Sequence, residues 1–298
     1  MAAAVILTGG GLIVLGLNGE SADAGALVPA TLTPRRATTS AGASPAPTGP
    51  SPQQRAKARR AGRVKQLDAA LRKVAANAPD FSVAVLDRKT GTTYAARGTA
   101  TYDTASIVKT QILACMLLRA QDADRDPTSG EMALARPMIR TSDNDATTTL
   151  FQRLGGRRAI STCNRRLGLT RTTVDSSWGL TRTTVLDQVT LLSKLVDPSG
   201  PLDAGSRRTA FTLMNTVVEE QSWGVPSIAR TGETTIVKNG WDTRTADDGR
   251  WVVNSIGRIT SGDVDVSVAV LSHDNASRES GIALIERVAM LTRQHLRY

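Results

Sequence analysis

The sequence is poor in the residue types that build metal centres and nucleic-acid stacking surfaces. Its 298 residues include two cysteines and two histidines, with no cluster at metal-ligand spacing. A zinc site is therefore not expected, and no metal or cofactor is predicted. Aromatic residues make up 3% of the chain, which leaves few platforms on which bases could stack. We therefore do not expect a nucleic acid as a partner.

The two cysteines allow at most one disulfide bond within the chain. Cys115 falls in an apolar segment with helical periodicity, where a buried free thiol is an equally good interpretation. Whether Cys115 pairs with Cys163 is therefore open at the level of sequence.

The first residues lack charge over an apolar stretch. Residues 2–17 carry no charged side chain, and Ala22-Asp23-Ala24 offers a small-x-small cleavage site. Sixteen residues are short for a membrane span, which needs about 20, and suit the core of a signal peptide. We expect residues 1–24 to be an export signal, with an uncleaved anchor as the alternative, although no Lys or Arg precedes the apolar core. The protein is thus expected to be secreted or at the cell surface.

Acidic residues are absent between residues 25 and 67. Eight basic residues lie there, namely Arg35, Arg36, Arg55, Lys57, Arg59, Arg60, Arg63 and Lys65. Most of the net charge of +10 therefore belongs to this segment, and residues 28–52 also hold six prolines. We expect residues 25–66 to be a linker ahead of a domain over 67–298. A solvated spacer is one interpretation, and an anionic cell wall is the partner that such a segment could contact.

The periodicity of apolar residues predicts an α+β fold. A hairpin is expected over 81–94, an apolar helix over 106–120, and further helices over 121–200. Strands at 234–237, 251–257 and 264–271 and a helix over 281–296 follow. This order predicts an antiparallel sheet flanked by terminal helices, plus a helical lobe, with the active site between the lobes.

Ser106 and Lys109 are three residues apart at the start of the apolar helix. Residues at this spacing project from one face of a helix. A serine hydroxyl needs a base before it attacks a carbonyl carbon, and Lys109 can serve if burial and nearby positive charge keep its amine neutral. We expect Asp103 or Thr104 to cap this helix. Ser106 is thus a candidate nucleophile near the positive end of a helix dipole.

Ser142-Asp143-Asn144 precedes a predicted helix over 144–154. Ser142 could pass a proton between Lys109 and a leaving group. Asn144 could hold a substrate amide or orient Lys109, and Asp143 is expected to cap the following helix. A plain helix cap is the alternative for the whole run.

Lys238-Asn239-Gly240 is expected at the end of a strand. Lys238 would place positive charge near a substrate carboxylate and help keep Lys109 deprotonated. Gly240 permits close approach of another backbone, and the N–H of Trp241 could complete an oxyanion hole with that of Ser106. An Asn-Gly hairpin turn is the alternative.

In this order the three motifs resemble the Ser-x-x-Lys, Ser-Asp-Asn and Lys-Thr-Gly set of class A β-lactamases and penicillin-binding proteins. The resemblance covers about residues 67–298 and implies an exported serine hydrolase. Ser106 would form an acyl-enzyme with a β-lactam or an acyl-D-Ala-D-Ala peptide. Lys109 would be the base, Ser142 the relay and Lys238 the anchor. The substrate is then a small molecule or a peptidoglycan peptide, and the protein is expected to be a monomer.

The sequence departs from the family pattern in two places. Asn239, at a substrate-binding position, replaces the usual Thr or Ser, which puts affinity for penicillins in doubt. Residues 170–184, where class A enzymes carry the glutamate that activates the deacylating water, contain no Glu. Asp175 is the sole carboxylate there, and it is either a structural clamp for the loop or a substitute base. Deacylation is therefore expected to be slow.

Other functions stay open. A Ser-His-Asp triad using His273 and Asp274 is the main rival chemistry, but the chain has no Gly-x-Ser-x-Gly elbow. His273 is instead expected to be a surface loop residue. A D,D-carboxypeptidase-like or slowly deacylating penicillin-binding protein is one alternative. A non-catalytic wall-binding protein on the same fold is another.

Overall fold

The computed structural model describes residues 49–298, so the expected export signal and most of the expected linker lie outside the described residues. The described part begins with helix α1, Pro52–Ala75, whose N-terminus is capped by the hydroxyl of Ser51. The helix runs without a break through residue 66. Residues Pro50–Tyr298 form one compact unit.

A five-stranded antiparallel sheet forms the centre of this unit. Its strands, in spatial order, are β2 (Thr92–Ala96), β1 (Phe81–Asp87), β7 (Asp265–Asn275), β6 (Arg250–Thr260) and β5 (Thr234–Arg244). The predicted hairpin is the β1–β2 pair, with Val85 opposite Tyr94. The predicted α+β class with an antiparallel sheet is confirmed.

The two faces of the sheet pack against different helices. In β1, Val83 and Val85 join the apolar cluster that includes Leu67 of α1 and Ile285 of α8, Arg278–Leu296. Ala84, between them, joins the cluster of the helical lobe. Because successive side chains of a strand point to opposite faces, β1 contributes apolar residues to the packing on both faces of the sheet.

The helical lobe consists of six helices and a small two-stranded sheet. The helices are α2 (Val108–Asp122), α3 (Ser129–Arg140), α4 (Asn144–Leu154), α5 (Gly156–Leu167), α6 (Val185–Lys194) and α7 (Ala204–Asn215), and the strands are β3 (Tyr102–Asp103) and β4 (Arg182–Thr183). Helix α2 is buried on nearly all sides, as its apolar sequence indicates. No helix among residues 49–298 has both the length and the apolarity needed to cross a membrane.

The two cysteines form a disulfide bond. Cys115 of α2 and Cys163 of α5 have Cα atoms 5.8 Å apart and are 48 residues apart in sequence. The bond ties the helix that follows Ser106 to a neighbouring helix of the lobe. The structure thus answers the question that the sequence left open.

We expect removal of this disulfide to destabilise the domain. A double substitution of Cys115→Ala and Cys163→Ala should lower the free energy of unfolding by about 2–4 kcal/mol, because the unfolded chain loses a cross-link across a long loop. Urea unfolding of wild type with and without reductant, beside the double variant, measures this effect. Equal midpoints for all three samples would contradict it.

Candidate active site

Ser106 lies in a short 3₁₀ turn, Ala105–Ile107, that leads into α2. No side chain caps this turn. The carboxylate of Asp103 instead binds Arg244 and Arg182, at 2.9 and 3.2 Å. The expected cap from Asp103 or Thr104 is therefore wrong, because stronger charged partners take the carboxylate.

The backbone just before Ser106 is held in an unfavourable conformation. Ala105 has a φ of 44°, a region that costs energy for a residue with a Cβ atom. The buried amide of Asn254 on β6 donates to the carbonyls of Asp103 at 2.9 Å and Thr104 at 3.1 Å. The sheet thus holds the segment just before Ser106. A lone asparagine in an apolar strand was the only sequence signal, and it did not reveal this role.

The amine of Lys109 is completely buried and makes three hydrogen bonds. It donates to the carbonyl of Ser142 at 2.6 Å, to the hydroxyl of Ser142 at 3.0 Å and to Oδ1 of Asn144 at 2.8 Å. The carbonyl and the amide oxygen can only accept, but the hydroxyl can also donate. A neutral Lys109 therefore also fits, with two N–H groups donating and its lone pair accepting from Ser142.

The hydroxyl of Ser142 lies between two lysines. Nζ of Lys238 is 3.0 Å from it, the same distance as Nζ of Lys109. Lys238 also donates to the carbonyl of Asn239 at 2.8 Å and is 1% exposed. Ser142 itself has a φ of 61°, so its backbone is also in the left-handed region. The structure thus brings Lys109, Ser142 and Lys238 into one hydrogen-bonded chain.

Burial controls the charge of both lysines. It lowers the pKa of Lys109 to about 7, an effect that the carboxylate of Asp143 partly opposes. Burial also lowers the pKa of Lys238 well below its ordinary value, and Lys109 lowers it further. Two ammonium groups on one buried hydroxyl repel each other, so the pair titrates in coupled steps. Near neutral pH, an amine is therefore available to accept a proton.

The other two residues of the second motif have separate positions. Asp143 caps α4 by accepting from the N–H of Ala146 at 2.7 Å, as the sequence indicated. Asn144 holds Lys109 and borders the cavity beside Ser106. The second motif is thus a helix cap through Asp143, and through Ser142 and Asn144 it also supplies polar groups around Lys109.

The third motif lies inside β5 and not at a strand end. Lys238 pairs with Ile256 of β6, so the motif is neither a terminus nor an Asn-Gly turn, contrary to expectation. The side chain of Asn239 is 1% exposed and donates to the carbonyls of Gln221 at 2.8 Å and Trp223 at 2.9 Å. It does not border the cavity. The expected substrate contact of Asn239 is therefore corrected, because strand alternation turns its side chain away from that of Lys238.

Gly240 brings β5 against the turn Ala105–Ile107, here called the nucleophile turn because Ser106 is the candidate nucleophile. A Cβ atom at this position would lie 2.7 Å from the nitrogen of Ser106 and 2.8 Å from that of Ile107. Only glycine permits this approach. Ser106 and Trp241 border the same cavity, which has a volume of about 520 Å³. The two residues expected to supply the oxyanion hole are therefore adjacent to one space.

The loop on the other side of the cavity carries no carboxylate toward it. Ser176, Ser177 and a short turn, Trp178–Leu180, border the cavity. Asp175 does not, and its Oδ1 accepts from the N–H of Ser177 at 2.8 Å. Asp175 thus braces the loop. The ring of Trp178 lies over Lys109, with Nζ 5.0 Å from the ring centroid. The sequence analysis missed this contact.

His273 lies in β7 and not in a surface loop, which corrects the expectation from sequence. Its Nδ1 is 2.5 Å from a carboxylate oxygen of Asp274, and its Nε2 is 3.3 Å from one of Asp80. Both ring nitrogens therefore face carboxylates. A triad needs one nitrogen on a serine hydroxyl, so this geometry does not form one.

Comparison with known proteins agrees with this arrangement. The sequence pattern of the β-lactamase enzyme family matches residues 132–296, more than half of the chain. This chain belongs to the β-lactamase enzyme family. The matched residues include the second and third motifs, whereas Ser106 and Lys109 precede them. The family resemblance inferred from the three motifs is confirmed.

Solved structures share the fold of this β-lactamase-family protein. A variant of the class A β-lactamase of the last common ancestor of Gram-negative bacteria is 20% identical, with a TM-score of 0.67 over 78% of this chain and 99% of that one. A β-lactamase from Xanthomonas campestris is 15% identical, with a TM-score of 0.66 over 79% and 96%. PBP-A is 18% identical, with a TM-score of 0.65 over 78% and 95%. At these identities the likeness shows the fold alone.

The curated relatives match a smaller part of this chain than the solved structures do. "Putative lipoprotein LppW" of Mycobacterium tuberculosis is 29% identical over 175 residues, which are 56% of this chain and 55% of that protein. A protein with the same name in Mycobacterium bovis matches equally. The β-lactamase-family protein thus spans about half the length of the curated relatives it matches.

We expect Gly240→Ala to destabilise the β-lactamase-family domain by about 1–3 kcal/mol, because the new methyl group would overlap the backbone of the nucleophile turn. Urea unfolding measures the effect. Gly262→Ala is the matched control, since nothing lies within 4 Å of that position. Equal stability of the two variants would show that β5 does not approach the turn so closely.

Proposed function

We propose that this β-lactamase-family protein is an exported serine hydrolase that forms an acyl-enzyme through Ser106. One observation supports the proposal above the others. The hydroxyl of Ser142 lies 3.0 Å from both buried lysine amines, and Lys109 also binds Asn144, which borders the same cavity as Ser106. Such a chain can move a proton between a nucleophile and a leaving group.

Acylation would proceed as follows. The Oγ atom of Ser106 attacks the carbonyl carbon of the substrate, and its proton passes to the neutral amine of Lys109. The carbonyl oxygen becomes an oxyanion near the N–H groups of Ser106 and Trp241. The C–N bond then breaks as its nitrogen takes a proton through Ser142. In substrate-free sites, the bond between nucleophile and base often forms only with substrate bound, so the hydrogen bonds of Lys109 to Ser142 are compatible with this role.

The proposed substrates are β-lactams and acyl-D-Ala-D-Ala peptides, which present a carboxylate beside the scissile amide. Neither lysine borders the cavity, so the positive charge that Lys109 and Lys238 share would attract the carboxylate from behind the cavity wall. Asn144 would contact the substrate amide, because it borders the cavity and already orients Lys109. Asn239 is left out of this set, since its amide is engaged behind β5.

The loop that contains Asp175 and Trp178 supports slow deacylation. Hydrolysis of an acyl-enzyme needs a base for the incoming water. Asp175 accepts a hydrogen bond from the backbone N–H of Ser177 and does not border the cavity. Asp242, which does border it, is bound to Arg244 at 2.6 Å. This favours a slowly deacylating penicillin-binding or D,D-peptidase activity over rapid β-lactam hydrolysis. A non-catalytic wall-binding protein is the remaining alternative.

Intact-mass measurement with a penicillin tests the proposal. We expect the wild-type protein to gain the mass of the penicillin. The adduct should persist far longer than the turnover time of a typical enzyme. The Ser106→Ala variant should gain nothing, because the attacking oxygen is absent.

The fate of the adduct distinguishes the alternatives. Rapid loss with release of the opened penicillin would identify a β-lactamase. Persistence would support the slowly deacylating class. If wild type and Ser106→Ala behave identically toward penicillins and toward a D-Ala-D-Ala peptide, the acyl-enzyme proposal fails.

Three observations support an extracytoplasmic location. The predicted export segment precedes the domain, the mycobacterial relative is named a lipoprotein, and Cys115 and Cys163 are paired. Disulfide bonds persist mainly in oxidising compartments outside the cytoplasm.

The basic half of α1 is the proposed contact with an anionic cell wall. Residues 52–66 hold six basic side chains and no acidic one, and residues 51–59 are all exposed. Only the second half of the helix is packed on the sheet, through Leu67, Leu71 and Val74. Among residues 49–298, none of the six cations forms an ion pair. Their charge is therefore free to attract a polyanion.

Binding to isolated cell walls tests this contact. We expect sedimentation of the protein with walls to fall as salt rises, because salt screens exposed charges. Replacing Lys57, Arg59 and Arg60 by Gln should weaken the binding severalfold. The control replaces Arg157, Arg158 and Arg165, which are exposed on α5, by Gln. Equal losses in the two triple variants would mean that total charge, and not α1, determines binding.

A further inference from the structure

An aromatic ring covers the buried amine at the centre of the site. The ring of Trp178 lies over Lys109, with 5.0 Å between Nζ and the ring centroid. Trp178 belongs to the loop that borders the cavity opposite β5. This loop lies against the nucleophile turn, since a Cβ atom on Gly179 would be 4.0 Å from Cα of Ala105. The ring thus lies over Lys109 and beside the cavity that Ser106 borders.

Hydrogen bonds at two points hold the ring in this place. The indole Nε1 donates to Oγ1 of Thr148 on α4 at 3.1 Å. The carboxylate of Asp175 braces the preceding residues by accepting from the N–H of Ser177. The ring also packs on the apolar cluster of the helical lobe. Contacts from both the loop and α4 therefore fix the position of the ring.

The ring has two opposing effects on Lys109. Its π face attracts an ammonium group, which favours the charged amine. It also excludes water, which disfavours the charged amine. The other charged groups that act on Lys109 are Lys238 from β5, which repels its charge, and Asp143 from the start of α4, which attracts it. Burial is the largest of these influences, and the pKa of Lys109 is lowered to about 7.

We propose that Trp178 is a positioning residue that keeps water away from Lys109 before acylation and away from the Ser106 ester afterwards. The second half of this inference rests on the proposed acyl-enzyme. Hydrolysis requires the oxygen of a water to attack the ester carbon while a base takes its proton and Ser106 leaves with a proton restored to Oγ. With Trp178 over Lys109, the water lacks a place beside the base, so the ester persists.

The first test does not depend on activity. The chain has only seven lysines, so NMR of labelled lysine side chains can follow Lys109, assigned with Lys109→Arg. We expect Trp178→Ala to raise the pKa of Lys109 by about one unit or more, because water then reaches the amine. An unchanged pKa overturns the proposal.

The second test follows the adduct of a penicillin on Ser106. In wild type, acylation should slow as pH falls below about 7, because Lys109 becomes protonated and cannot accept a proton. A pKa raised by one unit cuts the neutral fraction at that pH from about a half to about a tenth, so Trp178→Ala should acylate about fivefold more slowly there. Its adduct should also be lost severalfold faster. An unchanged pH profile together with an unchanged adduct lifetime contradicts the proposal.

Two further variants separate water exclusion from simple loss of structure. Trp178→Phe keeps a ring over Lys109, so it should restore most of the low pKa and the long adduct lifetime. Thr148→Val removes the acceptor of the indole N–H and should change both quantities in the direction of Trp178→Ala, by less. If Trp178→Ala does not fold, Thr148→Val decides the question. A Trp178→Phe variant that behaves like Trp178→Ala overturns the proposal.

The two proposals fail in different ways. Absence of any adduct on wild type would refute the acyl-enzyme while the lysine titration still tests the effect of Trp178. A normal adduct whose lifetime and pH profile do not respond to Trp178 would refute the role of the ring alone.

Discussion

The site depends on one hydroxyl group shared by two buried amines. Ser142 lies 3.0 Å from both Lys109 and Lys238, and neither lysine has significant contact with solvent. Two ammonium groups in this setting would repel each other strongly, so burial and mutual repulsion hold both pKa values down. The geometry therefore keeps a basic amine available near neutral pH.

Much of the surrounding structure holds strands β5 and β6 against the turn that carries Ser106. Gly240 lets β5, which carries Lys238, approach the nucleophile turn through backbone contact. Asn254 fastens the residues before Ser106 to β6. The left-handed φ angles of Ala105 and Ser142 are unfavourable locally, and the sheet and the helix caps around them hold these conformations. Local strain and a rigid scaffold thus occur together at the site.

The loop over the cavity acts on the proposed acyl-enzyme through the ring of Trp178. In the proposed reaction, attack by Ser106 would use Lys109 of α2 as the base and the N–H groups of Ser106 and Trp241 as the oxyanion site. On the side that faces α2, the loop offers the ring of Trp178 over Lys109, while Asp175 braces the loop. The proposed slow release of the acyl group by water therefore rests on this loop.

The sequence by itself determined the fold class and predicted a candidate site. Apolar periodicity is local, so it located the β1–β2 hairpin, helix α2 and the closing strands, and the order of three short motifs predicted Ser106, Lys109, Ser142 and Lys238 as site residues. Only the tertiary structure decided what depends on contacts between distant segments. These are the pairing of Cys115 with Cys163, the place of the third motif inside β5, the inward turn of Asn239 and the ring of Trp178 over Lys109. Such contacts join residues that are far apart in sequence, and no local pattern encodes which partner a side chain will meet.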